Sequence, residues 1–119
     1  MNFRADKRSV QDAEPLGPID PEVLVMRVDS LDNRNIAIVV NYALHNCTFG
    51  EGIHPDFSGY MAKYLRSILG EDLVVPFFAG PCGNVNHINY RDLNPPRGHE
   101  MTHKVARILA GEYSEYIVK

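Results

Sequence analysis

The hydrophobic positions in the first half of the chain predict a β-hairpin. Residues 36–40 form a continuous apolar run, which is typical of a strand covered on both faces, so we expect this strand to be central in its sheet. A valine-rich stretch precedes it, and the polar residues 30–35 lie between the two. The pattern predicts a hairpin over residues 22–44 with a loop of ordinary length.

A third strand is predicted over residues 72–79, where Val-Val-Pro-Phe-Phe is again fully apolar. Pro76 has no backbone N–H, so it implies a sheet edge, a bulge or the end of strand pairing.

Apolar residues at spacings of three and four predict two helices, one over residues 57–69 and one over residues 100–116. We expect Asp56 to cap the first helix and Gly70 to end it. The first apolar stripe comprises Phe57, Tyr60, Met61, Tyr64, Leu65, Ile68 and Leu69, and the second Met101, Val105, Ile108, Leu109 and Tyr116. The order strand, strand, helix, strand, helix predicts a small α/β fold, with a mixed sheet of three or more strands and helices packed on it.

Prolines at positions 15, 18 and 21 disfavour a helix at the start of the chain. Residues 1–21 are therefore expected to form an irregular arm, and residues 22–119 a single α/β domain.

Composition and charge exclude several classes of function. The 119 residues carry 12 basic and 15 acidic side chains without a basic block, which argues against a nucleic-acid partner. No apolar stretch approaches the length of a membrane span, and the polar N-terminus does not resemble a signal peptide, so we expect a cytoplasmic protein. Two cysteines cannot form a disulfide framework or a four-cysteine zinc site.

Two predicted strands are each followed by a segment that contains a histidine. His45 comes where the central strand ends, and residues 80–87 follow the third strand. Ligands in α/β sheets collect beyond the carboxyl ends of strands, and a neutral imidazole can bind a metal or accept a proton. We therefore interpret His45 as a candidate metal ligand. The alternative is a hydrogen-bonded histidine that closes the edge of the sheet.

The segment 80–87 contains groups that suit substrate binding and catalysis. Gly80, Cys82 and Gly83 predict a tight turn whose N–H groups could bind a substrate or an oxyanion. Asn84, Asn86 and His87 supply short polar groups and are our candidate catalytic residues. The alternative is an ordinary turn in which the asparagines bond their own backbone.

The cysteines leave several interpretations open. Cys47 and Cys82 both follow predicted strands, each close to a histidine in sequence or in the predicted fold. They could provide a Cys–His nucleophile or a disulfide, or they could be small buried hydrophobic residues.

A different motif, His99-Glu100-Met101-Thr102-His103, matches the His-Glu-x-x-His pattern of zinc peptidases. It directly follows the break at residues 94–98, so we expect its histidines to lie in a frayed first turn that faces solvent. A peptidase also needs a third ligand, for which Glu112 and Glu115 are the later candidates.

Four short segments, taken in order, resemble the neutral/alkaline non-lysosomal ceramidase family, especially its bacterial ceramidase-like members. They are Gly-Pro-Ile-Asp-Pro-Glu-Val at 17–23, Val-Asn-Tyr-Ala-Leu-His at 40–45, Asp-Phe-Ser-Gly-Tyr at 56–60 and Phe-Ala-Gly-Pro-Cys-Gly-Asn-Val-Asn-His at 78–87. Each segment is short and degenerate, and the specificity of the match comes from their order and spacing. The match spans roughly residues 17–90.

The resemblance implies a zinc-dependent amidohydrolase. The family binds one zinc ion through two histidines, a glutamate and a tyrosine, and His45 matches one of those histidines. The second histidine belongs to an upstream Ser-His-Thr-His-like stretch that this chain lacks, and the other two ligands lie in a region of the family that follows the equivalent of Lys119. We therefore expect a middle segment of a larger hydrolase domain, inactive by itself.

The sequence also departs from the family. Ceramidases carry a serine nucleophile shortly before Gly-Asp-Val-Ser-Pro, whereas residues 79–87 contain no serine and Asn84 replaces the aspartate. Ceramide cleavage by the family route is not expected, and a complete relative would use zinc-bound water on an unidentified small amide or ester. Two alternatives remain: a non-catalytic α/β module that pairs with another chain or with a second copy of itself, and a minimal zinc peptidase.

Overall fold

The computed structural model describes residues 17–50, 52–88, 94 and 96–117, and the side chains of these residues up to Gly111. One mixed sheet contains β1 (Leu24–Asp29), β2 (Asn35–Tyr42) and β3 (Phe77–Ala79) in the order β1-β2-β3. β1 pairs with β2 in antiparallel orientation, and β2 pairs with β3 in parallel. Two helices, α1 (Asp56–Leu69) and α2 (Gly98–Ile117), complete the predicted small α/β fold.

The predicted hairpin is present, and β2 is the central strand. The turn between β1 and β2 is closed by a hydrogen bond of 2.9 Å from the Ser30 N–H to the Arg34 carbonyl oxygen. Asn33 adopts a φ of 60° in this turn, a conformation that asparagine tolerates better than most residues.

The core lies on one face of the sheet only. Ile38 and Val40 point to that face and are fully buried against α1 residues such as Phe57, Met61 and Leu65. The helices also pack against each other, and Ala106 and Leu109 of α2 belong to the same core. Burial of these apolar side chains is the main term that stabilises the domain.

The opposite face of the sheet is apolar and exposed within the described part of the chain. The strand register places Met26 beside Val39 and Phe78 beside Asn41, on the side away from Ile38 and Val40. Met26 is 57% exposed and Phe78 59% exposed. The run 36–40 was expected to be covered on both faces, and this expectation is wrong for the face that carries Met26 and Phe78. β-Branched side chains suit a strand whether or not its second face is covered.

The third strand is shorter than predicted because of Pro76. The Val40 N–H donates to the Pro76 carbonyl oxygen at 3.0 Å, and Val74 makes an isolated parallel bridge to Ala37. Proline has no N–H to return to β2, so the ladder is interrupted and regular pairing begins only at Phe77.

The helix predictions hold with small changes at their ends. Asp56 is the first residue of α1 rather than its cap, and the preceding Pro55 makes no side-chain cap. Ile68 and Ile108 were placed on the buried stripes but are about half exposed, at 57% and 49%. No helix in the described ranges is long and apolar enough to cross a membrane. Of the predicted arm, residues 1–16 lie outside the described residues, as does the side chain of Tyr116.

Candidate functional site

The parallel pairing of β2 and β3 brings the two histidine-containing segments to one edge of the sheet. Tyr42 is paired with Ala79, and the Gly80 N–H donates to the Tyr42 carbonyl oxygen at 3.0 Å. Both strands therefore end side by side. We call the two segments that follow them, residues 43–48 and 80–88, the rim.

Within the rim, His45 lies next to Cys82. The His45 Nδ1 is 3.7 Å from the Cys82 sulfur, although the residues are 37 positions apart in sequence. His45 is exposed and Cys82 is 8% exposed. With its proton on Nδ1, facing the sulfur, the imidazole keeps a lone pair on Nε2 for a ligand.

His87 is the second histidine of the rim and is half-buried. Burial lowers the pKa of His87 below its ordinary value of 6.5; Asp56 opposes this change, and Arg97 and His45 add to it. His87 is therefore neutral at pH 7, and its imidazole can accept a proton.

The remaining predicted residues of this segment mostly shape its backbone. Asn86 accepts a hydrogen bond of 2.9 Å from the Ile88 N–H, as the turn alternative anticipated, and Asn84 is exposed. A Cβ on Gly80 would come within 3.2 Å of the Ala43 backbone nitrogen, so glycine allows the rim segments to approach closely. A Cβ on Gly83 would meet nothing within 4 Å.

A cavity of about 270 Å³ adjoins the rim at His87. Its walls are mostly apolar and include Tyr42 and Leu44 at the end of β2, Val85 in the rim and Leu109 of α2. Residues of the chain before β1, such as Ile19, close another side. The cavity can accept a small apolar group.

A buried polar network supports the segment between β2 and α1, and sequence analysis did not find it. The Asp56 carboxylate is 3% exposed and accepts hydrogen bonds from the Thr48 N–H and hydroxyl, at 3.0 and 2.7 Å, and from the Phe49 N–H at 2.9 Å. Burial raises the pKa of Asp56, but hydrogen bonds from Thr48, Phe49 and Phe57 outweigh it and hold the pKa below the ordinary value of 3.8. The carboxylate is thus ionised and fixes this loop.

Thr102 links the same network to α2. Its hydroxyl oxygen lies 3.0 Å from the Thr48 hydroxyl oxygen and 2.9 Å from the Gly98 carbonyl oxygen, and the Thr102 side chain is fully buried. The Thr48–Thr102 contact joins residues 54 positions apart, so local sequence pattern gives no signal for it.

The histidines of the His-Glu-x-x-His motif form a second cluster, which we call the helix pair (His99 and His103). α2 begins at Gly98, so both lie in its first two turns. Their Nε2 atoms are 3.1 Å apart, and the His103 ring lies 4.1 Å from the Tyr60 ring. The expectation of frayed, solvent-facing side chains is wrong for His103, which packs between the helices and is half-buried, whereas His99 is exposed.

Neither cluster completes a metal site from the residues that the structure describes. No group of three or more His, Cys, Asp or Glu side chains is placed to hold a metal ion there. The role of His45 as a metal ligand therefore stays a prediction. Among the other predicted candidates, the side chains of Glu112 and Glu115 lie outside the described part, and Cys47 and Cys82 are free thiols.

Comparisons of the chain with protein-family models, with curated proteins and with solved structures found no match.

Proposed function

We propose that the chain is a segment of a ceramidase-like, zinc-dependent amidohydrolase, to which it contributes His45 as a metal ligand and residues 80–87 as the substrate-facing loop. The observation that supports this proposal is the contact of 3.7 Å between His45 and Cys82 at the parallel ends of β2 and β3. The edge where the strands end is where α/β enzymes bind their ligands.

The surroundings of His45 suit a metal ligand. Ligating histidines commonly use one ring nitrogen for the metal while a neighbouring group orients the other. Cys82 lies beside Nδ1, so Nε2 is the ligating atom in this proposal. A neutral His87 nearby would accept a proton from the reacting group, and Asn84 would contribute a polar contact to the substrate.

The cavity beside His87 favours a substrate that carries an apolar acyl or alkyl group. Its volume of about 270 Å³ is small, and its mostly apolar lining includes Leu44 and Leu109. The substrate class that fits is a small amide or ester whose polar bond lies at the rim and whose apolar part enters the cavity.

The open face of the sheet supports the interpretation that the chain is a segment of a larger domain. Met26, Val74 and Phe78 are each more than half exposed on that face. Contiguous exposed apolar surface of this kind is usually covered by another part of the protein or by a partner.

A zinc titration followed through the histidine ring resonances by NMR tests the proposal. We expect Zn²⁺ to shift the signals of His45 and of the loop 80–87, and the shifts to disappear in His45→Ala. His99→Ala is the matched control, because it removes an exposed imidazole outside the rim. Shifts confined to His99 and His103 in the native protein would contradict the proposal.

An activity assay separates a segment from a complete enzyme. With zinc present, we expect no turnover of acyl anilides or nitrophenyl esters. Turnover that is lost in His45→Ala would support the hydrolase assignment and overturn the expected inactivity. Turnover that survives His45→Ala would contradict the role of His45.

The open sheet face also favours a second candidate function, a non-catalytic module that pairs through this face with a second copy or another chain. Light scattering over a dilution series tests self-pairing. A dimer that dissociates in Phe78→Asp supports it, whereas a compact monomer at every concentration counts against it.

A further inference from the structure

We propose that His99 and His103 bind a divalent transition metal ion, with Zn²⁺ as the reference ion, through their two Nε2 atoms. This site lies on α2 and is separate from the rim. It does not depend on the proposed hydrolase function.

The distance between the two nitrogen atoms fits a shared metal ion. The Nε2 atoms of His99 and His103 are 3.1 Å apart. Two nitrogens bound at 2.0–2.1 Å to one tetrahedral zinc ion lie about 3.3 Å from each other. Positions four residues apart on a helix share a face, so the backbone of α2 already holds the two rings together.

Tyr64 of α1 contacts the non-ligating nitrogen of His103 in this proposal. The Tyr64 hydroxyl oxygen lies 2.6 Å from His103 Nδ1. When the hydroxyl accepts the Nδ1 proton, the lone pair of the neutral ring lies on Nε2, towards His99. A partner of this kind on the non-ligating nitrogen is the usual arrangement for a metal-bound histidine.

The two imidazoles are already within hydrogen-bond distance of each other. Without a metal, the same geometry would be held by a hydrogen bond in which His99 Nε2–H donates to His103 Nε2. The metal would take the place of that one proton.

The nearby His54 does not act as a third ligand. Its Nδ1 accepts the Asp56 N–H at 2.9 Å, so the proton of the neutral ring is on Nε2, which faces the Tyr60 hydroxyl at 3.5 Å. The open coordination positions face a groove lined by Glu100, Lys104 and Arg107, where water can complete the shell. Two imidazoles and water suit Zn²⁺, Ni²⁺ or Cu²⁺, with Cu²⁺ bound most tightly.

Calorimetric titration with Zn²⁺, and separately with Ni²⁺, tests the site. A His45→Ala background removes any contribution from the rim, so that failure of this proposal and failure of the proposed function are distinguishable. We expect one ion per chain, with binding lost in His99→Ala and in His103→Ala. Tyr64→Phe should weaken binding about tenfold, because it removes the acceptor for Nδ1–H.

Glu100→Gln is the matched control, because Glu100 lies between the two histidines and is not a ligand in this proposal. Unchanged affinity in Glu100→Gln supports a two-histidine site. Equal zinc binding before and after the double change His99→Ala/His103→Ala would overturn the proposal. Circular dichroism of each variant confirms that α2 still forms.

Discussion

The rim and the helix pair each bring two chemically useful side chains together, but by different means. In the rim, His45 meets Cys82 across 37 residues, and the contact depends on the parallel pairing of β2 with β3. In the helix pair, the two histidines are four positions apart in α2, and the helix alone brings them together. The rim is therefore sensitive to changes in the fold, whereas the helix pair is sensitive mainly to its own side chains and to Tyr64.

Among the substitutions that affect the loop between β2 and α1, Asp56→Ala is expected to have the largest effect on stability. The change removes a buried carboxylate and leaves the N–H groups of Thr48 and Phe49 without their acceptor. We expect the free energy of unfolding to fall by about 3 kcal/mol, measured by urea denaturation.

Asp56→Asn is the conservative control, since an amide oxygen can still accept hydrogen bonds and asparagine tolerates the φ of 55° at this position. We expect it to be less destabilising than Asp56→Ala. Equal losses in the two variants would show that the carboxylate charge and its hydrogen bonds are not what holds the loop.

A change at Gly80 should affect the rim without affecting the helix pair. Gly80→Ala would place a Cβ 3.2 Å from the Ala43 nitrogen and 3.3 Å from its Cα. We expect a loss of about 1–3 kcal/mol in urea denaturation, because the backbone of the two segments must separate.

Gly83 provides the matched comparison in the same loop, because a Cβ there meets nothing within 4 Å. Gly83→Ala should be neutral or stabilise the protein by about 0.5 kcal/mol. If both variants behave alike, the close approach of the two rim segments is not a constraint.

Acidic pH should lower the stability of the protein because His87 of the rim becomes protonated. Its pKa in the folded protein lies below the ordinary value of 6.5, mainly because it is buried. The associated stabilisation is fully present above pH 6.5 and is lost as the pH falls towards the folded pKa. We expect stability to decrease as the pH falls below about 6.5, and the decrease to be smaller in His87→Gln.

The same experiment on the helix pair is expected to give a smaller effect. Burial is also the first cause that lowers the pKa of His103, but one side of this half-buried ring lines an open groove, where solvent screens such effects. His103→Gln should therefore change the pH dependence of stability less than His87→Gln. A larger effect of His103→Gln would show that solvent does not screen the His103 imidazole.

The smallest effect is expected on the open sheet face. Phe78 is 59% exposed, whereas Phe57 on the covered face is fully buried. Phe78→Ala should change the free energy of unfolding by less than about 1 kcal/mol, and Phe57→Ala should lower it by about 3–5 kcal/mol. Comparable losses would show that the second face is covered.

The sequence predicted those parts of the fold that depend on local pattern. Hydrophobic periodicity located both helices and all three strands, and the run 36–40 identified β2 as central. It did not reveal that Ala37 and Val39 face an uncovered side, because the same β-branched and apolar residues suit both situations. Pro76 marked the interruption of pairing but not where regular pairing resumes.

The candidate site was predictable only in part, for a similar reason. The rule that strand ends carry ligands placed His45 and the loop 80–87 at one edge, and the structure brings them together there. The bonds of Asp56 to Thr48 and of Thr48 to Thr102 depend on tertiary packing, and no spacing in the sequence encodes them. The sequence identified the His-Glu-x-x-His motif but not the packing of His103 against α1, because α2 begins two residues earlier than predicted.

The proposed site depends on the contact between His45 and Cys82, which nuclear Overhauser effects in the native protein can detect. We expect cross-peaks between the His45 ring protons and the Cys82 β-protons, since Nδ1 and the sulfur are 3.7 Å apart. Such peaks would place both rim segments at one edge of the sheet. If these cross-peaks are absent from spectra that do show contacts between β2 and β3, the two rim segments are not close to each other, and the proposed site is contradicted.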